Sequence, residues 1–271
     1  MITSSTIHSR PLLKGLFPFR LGATSYTIQA DMLSNLMYLA PLVDDVELVL
    51  FENGQLSNLP RETDLLAMAQ LAQQQNLTYT VHLFGDLDIG SSQKAQRQQA
   101  LQNHIRIMEL TAVLQPWAWI LHLHGDNGGP PPQQELASWQ KRTVTSLREI
   151  MGNNFAPHQI CVENLGYKFS LLTPIIEELD LAVCLDIGHL LLQDLEVGPY
   201  LDQWLTKTRV LHLHGLQNGV DHIAASHLPP GLLADLLTRL QAPGQPARVL
   251  TMEVFSETDF LDSLQAVAQA L

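Results

Sequence analysis

Cysteine is nearly absent from these 271 residues: two occur, Cys161 and Cys184, each inside an apolar, strand-like run. That rules out a disulfide framework as the source of stability. It leads us to expect buried, reduced thiols and a cytoplasmic home. Basic residues are also few, 15 Lys and Arg against 27 Asp and Glu for a net charge of −12, and they form no cluster. A surface that tracks phosphates needs such clusters, so no nucleic-acid partner is expected. No apolar run approaches the ~20 residues needed to cross a bilayer, so no membrane partner is expected either. Residues 1–15 are polar, are broken by Pro11 and lack the apolar stretch of a secretory signal. We read residues 1–18 as an N-terminal arm ahead of a single domain, 19–271.

Two motifs are missing as well. There is no G-x-S-x-G, hence no nucleophile elbow. The first strand–helix turn reads Gly22-Ala23-Thr24-Ser25 rather than G-x-G-x-x-G, which removes support for a dinucleotide-binding fold.

What remains is regular. Short β-rich runs alternate with helical patterns eight times, with strand candidates at Leu21–Tyr26, Asp45–Phe51, Thr78–Phe84, Trp119–His124, Gln159–Glu163, Leu181–Asp186, Arg209–His214 and Val249–Val254. Several are nearly continuous apolar runs, the pattern of parallel strands covered on both faces. Between them run helical stripes: Leu65, Leu66, Met68, Ala69 and Ala72 in one, and Leu101, Ile105, Met108 and Ala112 in another. Ser256 followed by Asp259 predicts a capped final helix. Eight such units without a break in composition predict an α/β fold, a single (β/α)8 TIM barrel. Gly125–Pro132 reads as an ornamented strand–helix loop, and Gly215–Pro230 as a loop able to fold over the barrel mouth.

The ionisable residues of these strands gather at their C-terminal ends: His82, His122 and His124, Glu163, Asp186, His212 and His214, and Glu253. In a barrel those ends converge on one mouth, where active sites of the fold are built. Imidazole nitrogen with carboxylate oxygen suits Zn²⁺, Mn²⁺ or Fe²⁺. Taken singly, His82 reads as a hydrogen-bonded core residue, and Glu163 or Asp186 as a helix N-cap. Burying all of them together without cations would be costly, and Lys168 and its like are too few to pair them. Side chains alternate across a strand, so the members of each His-x-His pair share a face. His122 and His212 are assigned to metal, and His124 and His214 to orienting or substrate contacts. His189, one turn after Asp186 and next to Gly188, can also point inward. Asp221-His222 lies in the loop that can fold back.

The set Glu163 in Val-Glu-Asn, Asp186 with His189 in Leu-Asp-Ile-Gly-His, His212 in Leu-His-Leu-His-Gly and Glu253 in Met-Glu-Val resembles the xylose isomerase-like, endonuclease IV-type barrel superfamily. The resemblance implies that Glu163, Asp186, His212 and Glu253 bind one metal. The endonuclease IV branch carries further ligands, and His82, His122, His189, Asp221 and His222 stand near their places. Asp221 and His222 are adjacent here, whereas that branch separates them by one residue. Within the superfamily the chain is similar to cobamide-remodelling phosphodiesterases of the CbiR type. That similarity rests on Arg20–Tyr26, Ala30-Asp31, Val43–Glu52, His212–Gly215, Asp221-His222 and Leu250–Phe255.

The similarity implies a hydrolase that opens the nucleotide-loop phosphodiester of a corrinoid, using more than one Zn²⁺ or Mn²⁺. Glu163, Glu253, His124 and His214 would then be its catalytic residues, and the loops Phe84–Ser92 and Gly125–Gln134 would receive the substrate. Three other functions use the same residues. A sugar isomerase or epimerase needs one metal and the Glu163–Glu253 pair as acid and base. An endonuclease at abasic sites is disfavoured by the charge and by Val-Glu-Asn-Leu-Gly, which departs from that branch after the Asn. A non-catalytic corrinoid- or metal-binding protein would need the ligands alone.

Overall fold

The computed structural model describes residues 11–85, 87–125 and 128–271. Most of the expected N-terminal arm, residues 1–10, lies outside the described residues, as do residue 86 and residues 126–127 of the two expected substrate loops. Eight parallel strands close a barrel in sequence order: β1 Arg20–Thr24, β2 Asp45–Val49, β3 Thr78–His82, β4 Trp119–Leu121, β5 Ile160–Glu163, β6 Ala182–Asp186, β7 Thr208–Leu213 and β8 Val249–Met252. Each lies within a few residues of its expected position. Around them run α1 Met32–Leu39, α2 Glu62–Gln75, α3 Lys94–Thr111, α4 Leu136–Met151, α5 Thr173–Leu179, α6 Ile187–Leu192, α7 Val197–Trp204, α8 Leu232–Gln241 and α9 Glu257–Gln269. Ser256 caps α9 as expected, its hydroxyl accepting the Asp259 N–H at 3.1 Å.

Strand alternation divides the apolar residues into two cores. Outward-facing Leu21, Val46, Val81, Leu121, Val162, Leu185, Leu211 and Leu250 pack against the helices. Inward-facing Ala118, Ile120, Cys161, Ala182, Cys184 and Val210 fill one side of the lumen. The other side of the lumen is polar: Thr24, Asp45, Glu47, Thr80 and Thr251 are all buried. Both cysteines are free and buried.

The helical stripes are rotated slightly from their expected faces. Leu65 and Met68 are buried but Leu66 is 57% exposed, and in α3 the buried set includes Leu101, His104, Ile107 and Met108, with Ile105 only half covered. The segment read as loop after β7 holds an antiparallel hairpin, Gly215–Gln217 with Val220–Ile223. Its turn is Asn218-Gly219, both at positive φ (53° and 78°), the backbone of a tight two-residue turn. A second small hairpin, Glu52–Asn53 with Leu56–Ser57, stands over the end of β2. Residues 11–18 lie against the base of the barrel. There Leu13 is buried, Lys14 Nζ reaches the Ala40 carbonyl at 2.6 Å, and the Gly15 N–H donates to Asp44 at 3.0 Å. No helix among the described residues is long and apolar enough to cross a membrane.

Candidate metal centre

Glu163 ends β5 with its carboxylate at the centre of the mouth, 1% exposed. Its two oxygens face different partners. Oε2 lies 3.0 Å from His122 Nε2 and 3.3 Å from His82 Nε2, while Oε1 lies 3.4 Å from His189 Nδ1 and 3.6 Å from His212 Nδ1. His82 is the last residue of β3; His122 follows the end of β4, where β4 proves shorter than its apolar run suggests. Gly85 makes room for this first cluster, because a Cβ there would lie 2.9 Å from His122 Nδ1.

A second cluster surrounds His212 on β7, which pairs in register with Asp186 on β6. His212 Nδ1 is 3.0 Å from Glu253 Oε2 and 3.5 Å from Asp186 Oδ2. Neither His212 Nδ1 nor Glu253 Oε2 makes a hydrogen bond of acceptable angle despite that distance. The ring nitrogen and three carboxylates surround a common point rather than bond to one another. Asp186 does two jobs: Oδ1 accepts the His189 N–H at 2.6 Å and so caps α6, while Oδ2 faces the site. Asn164 braces this corner, exchanging 2.7 and 2.9 Å bonds with the Asp186 backbone.

The third cluster is His189, His214 and His222, with ligand atoms within 4.8 Å of one another. The hairpin delivers His222, whose φ of 52° turns its ring back to stack on His214 at 4.2 Å. His222 also donates its own N–H to His214 Nδ1 at 3.0 Å, and His214 Nε2 meets Asp186 Oδ1 at 3.2 Å. With both nitrogens engaged, His214 orients its neighbours more readily than it binds a cation. Gly188 is required for this packing, since a Cβ there would lie 1.9 Å from the His214 ring.

Two of the expected residues stand apart. Asp221 is half-exposed on the hairpin, its ion-pair partner among the described residues being His222 Nε2 at 3.8 Å, and it joins none of the clusters found there. His124 packs edge-on to His122, with ring centroids 5.4 Å apart, and its carbonyl accepts from Trp139. Glu47 is a site residue that sequence reasoning misses. It is fully buried on β2 and holds His212 Nε2 at 3.0 Å, which directs Nδ1 into the second cluster. Its only sequence signal is a glutamate inside the apolar run Val46–Leu50. Cys184 lies beside Glu163 and His212, but burial raises its thiol well above its usual range.

The electrostatics follow from the crowding. Burial pushes the His82 imidazole down, but the Glu163 carboxylate outweighs it and raises His82 to about 9. The same opposition takes His189 to about 10. Burial would raise Glu163, yet His122 and His212 hold it well below the usual carboxylate range, and His214 does the same for Asp186. Among the described residues every ion-pair partner of Glu47, Glu163, Asp186 and Glu253 is a histidine. Anionic oxygens and imidazoles converging without Lys or Arg form a donor set that fits divalent cations.

Comparison with known proteins agrees with this architecture. The xylose isomerase-like TIM barrel family matches residues 43–271, and the chain belongs to that family. Among solved structures, a D-tagatose 3-epimerase-like protein superposes with TM-score 0.72 at 17% identity, covering 93% of this chain and 97% of that one. IolI, a structure with a bound zinc atom, gives 0.66 at 13% identity over 93% and 96% of the two chains. Endonuclease IV from Thermus thermophilus gives 0.63 at 17% identity over 93% and 98%. At these identities the likeness is one of fold. No curated protein matches the sequence.

Proposed function

We propose that the chain is a metal-dependent phosphodiesterase that hydrolyses the nucleotide-loop phosphodiester of cobamides, giving cobinamide phosphate and the lower-ligand nucleoside. The observation that carries the hydrolase reading is the divided Glu163 carboxylate, with one oxygen toward His82 and His122 and the other toward His189 and His212. A carboxylate placed this way suits a bridge between cations, and a centre of several cations suits phosphoryl transfer. His82, His122 and Glu163 would hold one ion; Glu163, Asp186, His212 and Glu253 another; His189 and His222 would contribute to a third. Zn²⁺ or Mn²⁺ bound there supplies charge neutralisation for the phosphodiester and acidifies water.

The chain's own residues then orient the reaction. Glu253, 5% exposed just past the end of β8, sets the far side of the site, while His214 fixes Asp186 and His222. His124, packed edge-on to His122, would contact the substrate. The corrinoid as substrate rests on the sequence resemblance. The decisive assay incubates Zn²⁺- or Mn²⁺-loaded protein with an adenosylated cobamide, beside a chelated control, followed by chromatography. Metal-dependent release of the lower nucleoside is expected, and an intact cobamide with fully metallated protein overturns the proposal.

One observation favours a second reading. The group Glu163, Asp186, His212 and Glu253 is complete by itself, and a solved neighbour is named for epimerase likeness. A metal content near one per chain, with sugar epimerisation, would establish that alternative. An endonuclease remains less suited to a net charge of −12.

A further inference from the structure

A cavity of about 590 Å³ opens beside the ends of β1 and β2, between α1 and the loop leading into α2. Register places it next to the metal centre. Thr24 pairs with Glu47 on one side, and its hydroxyl bonds the Val254 carbonyl on the other, so Ser25 and Tyr26 stand one strand away from Glu253. The volume falls within the ~300–1,000 Å³ range of small-molecule sites.

About half of its lining is apolar and polarizable, with Met32, Leu33, Met37, Leu59, Pro60 and Met68, and the rest is polar. Thioethers against an aromatic ring are a favourable contact. Its charges are already engaged. Arg61 is held in a fork by Asp64 at 2.9 and 3.0 Å, and Asp31 accepts the Ser34 N–H at 2.8 Å as the cap of α1. One cation against two carboxylates disfavours an anion, so the phosphate does not belong here. What the wall offers instead is hydroxyl donors. The Tyr26 oxygen accepts from Asn58 at 3.4 Å and the Ser57 oxygen accepts the Leu59 N–H at 3.2 Å, leaving both O–H groups to donate. Tyr26, whose ring lies 6.1 Å from that of Phe51, adds an aromatic face to the wall.

We infer that this cavity receives the planar, neutral heteroaromatic base of the substrate's nucleoside, with a ring nitrogen accepting from the Tyr26 hydroxyl. The inference rests on the phosphodiesterase reading for its place in the reaction, but the subsite itself is a property of the cavity. It separates the two ends of the substrate: phosphate at the histidine–carboxylate clusters, base between α1 and α2. It also makes Tyr26, Met37 and Met68 determinants of which base is accepted.

The test uses the full chain without added metal and equilibrium dialysis with benzimidazole riboside and indole riboside, which share a shape but differ in the ring-nitrogen acceptor. Benzimidazole riboside is expected to bind saturably and roughly five- to tenfold tighter than indole riboside, the scale of one neutral hydrogen bond. Tyr26→Phe should abolish that preference while leaving indole riboside unchanged. Met37→Trp, at a rim position 56% exposed and so tolerant of substitution, should weaken both at least about tenfold by filling the space. Absence of saturable binding, or Met37→Trp binding like wild type, overturns the subsite. A Tyr26→Phe variant that keeps the preference overturns its hydrogen bond. If cobamides are cleaved but Met37→Trp binds both ribosides like wild type, the subsite fails and the function stands. If the ribosides bind but no cobamide is cleaved, the function fails and the subsite stands.

Discussion

At the base of the barrel, the fully buried Arg248 commits its guanidinium to the Pro246 and Leu205 carbonyls and the Gln245 side chain, at 2.8 to 3.1 Å. Asp44 there accepts the Gly15 and Leu21 N–H groups. At the mouth, a similar depth of burial produces a different arrangement: Glu163, Asp186, His212 and Glu253 face one another, and His212 Nδ1 and Glu253 Oε2 make no hydrogen bond. The base satisfies these polar groups, largely with backbone partners, and so holds the fold together. The mouth leaves them aimed at a shared point, an arrangement that costs stability unless something positively charged occupies it. Buried polarity alone therefore does not mark a site; converging, unsatisfied ligand atoms do.

The sharpest way to break that contrast is Glu163→Gln. It removes the charge that faces both sets of histidines, so activity should fall about a thousandfold or more, the scale on which lost charge at a reacting centre acts. The variant should also lose the rise in Tm that Zn²⁺ or Mn²⁺ gives the wild-type protein, as read by thermal unfolding with and without chelator. A variant that keeps the metal-dependent rise would place the centre elsewhere.

Gly188→Ala tests whether backbone proximity builds the third cluster. The added methyl would lie 1.9 Å from His214, within a helix that cannot easily yield. Destabilisation of about 1–3 kcal/mol is expected from the overpacking, together with loss of whatever cation His189 and His222 help to hold, measured by metal counting. Gly85→Ala, whose Cβ would meet His122 at 2.9 Å, should give a milder version at the first cluster.

Glu47→Gln separates orientation from ligation. Glu47 does not face the common point; it holds the opposite nitrogen of His212. Metal affinity, measured by chelator competition, should drop about 10- to 100-fold, with the fold intact. Unchanged affinity would make Glu47 a packing residue only.

The barrel is legible in the sequence because its strands and helices carry different periods, and because eight apolar runs such as Val46–Leu50 recur without a break. The converging ends are legible for the same reason: once Glu163, Asp186, His212 and Glu253 are strand ends, closure brings them together. Depth within the lumen is not. A glutamate in Val46–Leu50 reads as one polar residue in a core strand, and only the register of β2 against β1 and the fold of β7 put Glu47 under His212. His104 lies beside the expected stripe of α3, and its burial at 1% follows from a small rotation of that helix that periodicity does not fix. The hairpin after β7 does carry a signal, Asn218-Gly219, which marks a tight turn. Without it, His222 can be placed only in a loop.

The smallest effect belongs to the base and tests the other side of the comparison. Asp45 is fully buried on β2, with Oδ2 bonded to the Thr78 hydroxyl at 2.5 Å, and burial raises its carboxyl to about 6. An unfolded aspartate titrates near ~4. The folded chain thus holds a proton between roughly pH 4 and pH 6 that the unfolded chain has released. Stability accordingly falls as pH rises through that window, and the penalty is complete above pH ~6. Asp45→Asn keeps an oxygen for Thr78 and removes the charge. It should be stabilising by about 1–2 kcal/mol at pH ~8 and close to neutral at pH ~4, as read from denaturant midpoints at the two values. An equal effect at both would show that the lumen already compensates Asp45 as a charge, like the carboxylates at the mouth, and would erase the distinction between the two ends.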